Sequence, residues 1–231
     1  MAFQPIVDLA TGEVFAYEAL ARGPNGEPAG TVFESVDESN QYRFDQVCRV
    51  KAIELAARLG IECYLSINFM PNAVYKPERC IRTTLKAARE YEFPTDRIIF
   101  EVTETERIQR VEHLKNIIKH YREIGFLTAI DDFGSGFAGL NLLAEFQADI
   151  VKLDMELVRG IDSNPPRQSI VRGIIQTAEE MGIRMIAEGV ETTAELECLR
   201  ELGIDLYQGF LFAKPAFEKL PDFDIPQTDA V

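Results

Sequence analysis

The sequence predicts an α/β fold, a closed (β/α)8 barrel, on three observations. Short β-rich runs alternate with stretches whose apolar residues recur every three or four positions, the signature of successive βα units and a mostly parallel sheet. Eight such runs can be counted, the number at which such a sheet closes into a barrel. The chain has 231 residues, a length at which one α/β barrel is ordinary.

The runs lie at 2 to 9, 13 to 21, 63 to 69, 98 to 104, 126 to 133, 150 to 155, 183 to 190 and 206 to 213. Only Ala10, Thr11 and Gly12 separate the first two. Parallel neighbours need a crossover of a dozen or so residues, so these two form a hairpin and the first strand runs antiparallel to the rest. "PNGEPAG" at 24 to 30 is the main turn-rich loop and "DSNPP" at 162 to 166 a second. Val111, Leu114, Ile117, Ile118, Tyr121 and Ile124 share one helical face, and Ile170, Ile174, Ala178 and Met181 share another. Four helices are expected to end at Leu59-Gly60-Ile61, Ile124-Gly125-Phe126, Met181-Gly182-Ile183 and Leu202-Gly203-Ile204, with glycine in the left-handed C-terminal position. Thr192 and Glu195 form a capping box that opens the last of these. No stretch reads as an interdomain linker, so residues 1 to 231 are expected to be one domain, with the tail from about 215 a cap or loose end.

Composition excludes several classes. The hydrophobic fraction of 46% and charged fraction of 27% are those of a globular protein. No run approaches the 18 apolar residues of a membrane span, and "MAFQPIVDLA" carries no signal-peptide pattern, so a cytoplasmic protein is expected. The net charge of −14, from 24 Lys and Arg against 38 Asp and Glu, disfavours duplex nucleic acid and anionic membranes as partners. Cys48, Cys63, Cys80 and Cys198 form no C-x-x-C pair and read as small hydrophobes or inert thiols. His113 and His120, seven apart in a helical pattern, read as surface residues.

The active face of such a barrel is built at the C-terminal ends of its strands. Polar residues interrupt the apolar runs there: Glu18, Asn68, Glu101, Glu104, Asp131 with Asp132, Lys152, Glu188 with Glu191, and Gln208. So many acidic groups at one rim destabilise a fold unless cations accompany them. Carboxylate and amide oxygens without histidine or thiolate suit Mg²⁺ or Mn²⁺ rather than Zn²⁺. The adjacent Asp131 and Asp132 are placed to share two cations, which points to two-metal hydrolysis of a phosphate ester with a metal-bound water as nucleophile.

The ordered set "EAL" at 18 to 20, "FEVTE" at 100 to 104, "DDFGSG" at 131 to 136, "KLD" at 152 to 154, "AEGVE" at 187 to 191 and "QGF" at 208 to 210 resembles the EAL-domain phosphodiesterases of cyclic di-GMP signalling in bacteria. The resemblance covers essentially the whole chain. It implies a modified TIM barrel that cuts one phosphodiester of cyclic di-GMP to give linear 5′-pGpG. Glu18, Asn68, Glu101 and Asp131 then resemble the ligands of one metal, and Asp131, Asp132 and Glu188 those of the second, with Glu188 open between ligand and general base. Lys152 would hold or polarise the attacking water, and Gln208 with Glu191 would complete the shell. Glu104 resembles a brace for the loop after strand five, Arg22 a phosphate contact, and Gln4 and Leu20 further substrate contacts. The family's habit implies a homodimer.

Two features depart from the family pattern. "DDFGSGFAGL" carries Ala138 and Gly139 where serines are common, and the segment after Arg22 is short, resembling members attached to blue-light sensor domains. Two other readings stay open. One is a module that binds cyclic di-GMP or a protein without catalysis. The other is a glycoside hydrolase, which also uses paired carboxylates; the absence of tryptophan for sugar stacking argues against it, and a chelator separates it from the metal enzyme.

Overall fold

The hairpin demanded by the three-residue link is present: β1 (Ala2–Asp8) and β2 (Glu13–Leu20) pair antiparallel, with Gln4 opposite Glu18. The computed structural model describes residues 1–74, 76–103, 111–136, 139–145 and 147–226. After β2 come α1 (Ala29–Phe33), α2 (Gln41–Arg58), β3 (Tyr64–Asn68), α3 (Pro77–Glu90), β4 (Ile98–Thr103), α4 (Val111–Ile124), β5 (Leu127–Phe133) and α5 (Gly139–Glu145). Then follow β6 (Ile150–Leu153), α6 (Met155–Val158), α7 (Pro165–Met181), β7 (Arg184–Ala187), α8 (Thr193–Glu201), β8 (Leu206–Tyr207) and β9 (Ala216–Phe217). Strands β2 to β8 pair in parallel succession, and β1 pairs antiparallel with both β2 and β8, so the sheet closes on itself.

Strand periodicity sorts the apolar residues into two cores. Ile6, Ala16, Ile99, Ala129, Ile150, Ile186 and Leu206 form a small cluster inside the barrel. Their neighbours on the other face, including Leu65, Ile67, Phe100, Val102, Ile130, Val151, Leu153, Ala187 and Tyr207, join the helices in the larger core. On most strands a polar residue stands two positions from the inner apolar one, on the same face and nearer the mouth. Ile99 leads to Glu101, Ala129 to Asp131, Ile150 to Lys152, Ile186 to Glu188 and Leu206 to Gln208. On the reversed β1 the order inverts, Gln4 preceding Ile6.

The helix-to-strand joints carry the predicted geometry. Gly60, Gly125, Gly182 and Gly203 all have positive φ, between 69° and 104°. At each, the following residue donates its N–H to the carbonyl five residues back: Ile61 to Ala56 at 3.0 Å, Phe126 to Tyr121 at 3.1 Å, Ile183 to Ala178 at 2.8 Å and Ile204 to Leu199 at 3.2 Å. That is the Schellman bond, and it aims each helix end back at the sheet. The Thr192–Glu195 capping box on α8 is also present.

Four expectations sharpen in detail. On α7 Ile174 and Ala178 are buried as expected and Met181 packs against the core, but Ile170 is 53% exposed, and Val171 and Ile175 complete the buried face. "DSNPP" is less a loop than a helix start, because Pro165 and Pro166 occupy the first helical turn and the Asn164 side chain accepts from the Arg167 N–H. Strands β7 and β8 stop at Ala187 and Tyr207, earlier than expected, and Glu188 and Gln208 begin the rim just beyond them. Of the two forms expected for the tail, the residues around β9 take the cap, since β9 pairs with Ala2 and Phe3 of β1. Among the described residues no helix is long and apolar enough to cross a membrane. The four cysteines are free thiols, and burial pushes those of Cys48 and Cys63 up to about 11, keeping them protonated.

Candidate active site

At the mouth of the barrel one ammonium faces four carboxylates. Lys152 Nζ lies 2.6 Å from Glu188, 3.0 Å from Glu101, 3.0 Å from Asp131 and 3.3 Å from Glu18. The Lys152 side chain is fully buried at the end of β6, and the carboxylates come from β2, β4, β5 and the end of β7. Burial opposes the lysine's charge, but Asp131, Glu101, Glu18 and Glu188 outweigh it and hold the ammonium well above its ordinary range.

The carboxylates pay for the crowding in different ways. Burial, opposed by Lys152 and reinforced by Glu18 and Asp131, pushes Glu101 up to about 8. Burial and the Asp131 charge push Glu188 well above the usual carboxylate range. Glu18 goes the other way: burial opposes its charge, but Lys152 and hydrogen bonds donated by Gln208 and Asn68 hold it below its ordinary value. Gln208 Nε2 donates to Glu18 at 2.7 Å and to Gln4 Oε1 at 3.3 Å, and Asn68 Nδ2 donates to Glu18 at 2.9 Å.

A bulge explains how two sequential aspartates reach one site. In a regular strand Asp131 and Asp132 would point to opposite faces. Between Ile130 and Phe133 β5 advances three residues while β6 advances two, from Val151 to Leu153, so β5 holds one extra residue. Asp132 sits at φ 54°, the left-handed region that aspartate tolerates better than most residues. Burial, then the Asp131 charge, pushes the Asp132 carboxyl up to about 6.

The result is two acidic groups with a common member. Oxygens of Glu18, Glu101 and Asp131 lie within 4.8 Å of one another, and so do those of Asp131, Asp132 and Glu188. This all-oxygen set, with Asn68 beside Glu18, fits hard divalent cations. The buried Asp131 Oδ1 atom accepts no hydrogen bond of good geometry and faces positive charge instead, the Lys152 ammonium at 3.0 Å, the kind of environment in which a cation would also sit. A cavity of about 510 Å³ adjoins Glu18, Asn68 and Asp131, and its walls include Leu20, Phe33, Phe44 and Met70.

The remaining expected residues fall in different places. Gln4 is buried at the rim, where it donates to the Ala213 carbonyl at 3.1 Å, and Leu20 lines the cavity. Half-buried Arg22 donates to its neighbour Ala21 at 2.7 Å. Glu191 is not brought to the Lys152 cluster; it pairs with Arg159 at 3.0 Å, and its side chain is 44% exposed. Glu104 and Ala138 lie outside the described residues. Ser66 was not anticipated. It is fully buried and donates its hydroxyl to Glu101, and its place two residues before Asn68 on β3 is the signal that marks it as inward-facing. Asp154, beyond Lys152, caps α6 by accepting from the Glu156 N–H at 2.8 Å.

A family model described as EAL domain matches residues 1–215. The chain belongs to the EAL domain family. This EAL domain is 32% identical over 227 residues to BluF of Escherichia coli K12, a blue light- and temperature-regulated antirepressor, covering 98% of this chain and 56% of BluF. It is 38% identical over 221 residues to PdeR of the same organism, a cyclic di-GMP phosphodiesterase, covering 90% of this chain and 33% of PdeR. The chain thus spans about half of the one and a third of the other. Among solved structures, a standalone EAL protein from Vibrio cholerae O395 with cyclic di-GMP bound is 56% identical at a TM-score of 0.94, covering 97% of this chain and 94% of that one. BlrP1 of Klebsiella pneumoniae, in a complex with manganese and cyclic di-GMP, is 37% identical at a TM-score of 0.89, covering 94% and 56%.

Proposed function

We propose that this EAL domain hydrolyses one phosphodiester of cyclic di-GMP to linear 5′-pGpG, using two divalent cations, Mg²⁺ or Mn²⁺. The observation that carries the reading is the pair of acidic groups sharing Asp131 around a single buried ammonium. Glu18, Asn68, Glu101 and Asp131 would hold one cation, and Asp131, Asp132 and Glu188 the other. When bound, the cations would supply charge neutralisation at the phosphate and acidify the attacking water.

The protein's own groups do the rest. Lys152 would hold or polarise that water, and Glu188 would serve either as a ligand of the second cation or as the base that receives the water's proton. Ser66 and Gln208 orient Glu101 and Glu18 through their hydrogen bonds. Gln4, Leu20 and Arg22 would contact substrate, Glu104 would brace the loop after β5, and Glu191 with Gln208 would complete the shell. A single domain over residues 1 to 231, a homodimer and a cytoplasmic location complete the reading, either standing alone, which the Vibrio cholerae protein supports, or joined to a sensor domain, which the lengths of BluF and BlrP1 support.

The test is to strip the protein with a chelator, add Mn²⁺ and cyclic di-GMP, and measure 5′-pGpG. Turnover that needs the added metal and disappears in Glu18→Ala and Asp131→Ala, with both variants folded, is the expected result. Undiminished hydrolysis in either variant removes the two-metal assignment. BluF, named as an antirepressor, favours a second reading, a module that binds without cutting. Cyclic di-GMP bound but unaltered in the same assay would establish it.

A further inference from the structure

Behind two of the acidic strands lies a buried charge that the proposed chemistry does not use. Arg49, on α2, is wholly buried. Its Nη2 lies 2.7 Å from Asp45, one helical turn earlier, and its Nη1 donates to the Tyr121 hydroxyl at 2.8 Å. The guanidinium carbon sits 5.3, 5.1 and 5.9 Å from the ring centres of Phe69, Phe100 and Tyr121. Two of those rings are sequence neighbours of site residues: Phe69 follows Asn68 and Phe100 precedes Glu101. Strand alternation therefore puts the rings on the helix side of the sheet and Glu101 on the inside.

The same elements are tied together along the backbone. Asn68 stands opposite Glu101 in the β3–β4 register, and the Phe69 N–H donates to the Glu101 carbonyl at 3.0 Å. Asp45 Oδ1 accepts the Met70 N–H at 3.0 Å, fixing the chain two residues past Asn68. Packing alone does not account for the charges, since apolar residues of similar volume commonly match or exceed a buried ion pair in stability. What the pair adds is direction: one backbone N–H and two rings are each held in one place.

We propose that Arg49, acting through Asp45, is a positioning residue that sets Asn68 and Glu101 for cation binding; this rests on the two-cation reading above. The test is titration of the folded protein with Mn²⁺, followed by electron paramagnetic resonance of the free ion, with no substrate present. The double variant Arg49→Met, Asp45→Leu is expected to lose about tenfold or more in Mn²⁺ affinity, the scale of an outer-shell change, at near wild-type helicity. Tyr121→Phe is expected to lose less, in the same direction. Val171→Ala, a core change on α7 that packs against β7, is expected to lower stability and leave the affinity alone. Wild-type affinity in the folded double variant overturns the proposal, as does an equal loss in Val171→Ala. If the double variant does not fold, Tyr121→Phe decides, and unchanged affinity there overturns it. Absence of Mn²⁺ binding by the unmutated protein would fell the two-cation reading itself, and this inference with it.

Discussion

The lower and upper rings of the barrel interior occupy the same strands, two residues apart, and do opposite work. The lower ring, with Ile99, Ala129, Ile150 and Ile186, is apolar and buried. The upper ring, with Glu101, Asp131, Lys152 and Glu188, concentrates charge that folding opposes. Both rings hang on one closed sheet, and apart from the β5 bulge and the end of β7 the difference between them lies in the side chains. The apolar ring fixes strand spacing and tilt, and that scaffold holds carboxylates together that would otherwise separate.

Asp131→Asn separates the two rings most strongly. Turnover is expected to fall by about 10²- to 10³-fold or more, the scale of removing one group that stabilises transition-state charge. The urea midpoint should hold or rise, because one charge leaves a crowded anionic site. Ile99→Ala, on the other ring, should do the reverse. Losing buried volume there is expected to cost about 2–5 kcal/mol in urea unfolding, while kcat of the folded fraction stays at the wild-type value. A catalytic loss from Ile99→Ala at full stability would erase the division between the rings.

The charged ring should also leave a pH signature in the metal-free protein. Glu101 is raised from an ordinary 4.5 to about 8 and Asp132 from 3.8 to about 6. Within those windows the folded state binds more protons than the unfolded one, so these two groups make stability fall as pH rises from about 4.5 to 8. Thermal unfolding in a chelator should therefore show a lower midpoint at pH 8 than at pH 5.5, with Mn²⁺ restoring it at pH 8. A chelator-insensitive midpoint that climbs across the window would contradict the charge assignment. The smallest effect lies outside both rings: Thr192→Ala should cost α8 about 1 kcal/mol by equilibrium unfolding, with turnover unchanged.

Much of this was legible in the chain because the deciding signals are local. Three residues between two β runs force a hairpin, and a glycine between an apolar helix face and an apolar strand forces a joint. The polar residue two steps beyond an inner apolar one marks the mouth at Glu101, Lys152 and Glu188. What escaped depends on distant partners. The bulge that swings Asp132 toward Asp131 exists only against β6, and β9 only against β1. Nothing local singles out Arg49, because Phe69, Phe100 and Tyr121, which close around it, come from three distant parts of the chain. Glu191 stands apart from the Lys152 cluster for a local reason. It shares a motif with Glu188, but the chain turns at Gly189, where φ is +66°, and Glu191 pairs with Arg159.

Anomalous diffraction at the manganese edge, from crystals grown with Mn²⁺, would locate the cations themselves. Two peaks about 4 Å apart are expected, the spacing of two-metal sites, one among Glu18, Asn68, Glu101 and Asp131 and the other among Asp131, Asp132 and Glu188. No peak at the mouth, with Lys152 still paired to its four carboxylates, would contradict the two-cation reading.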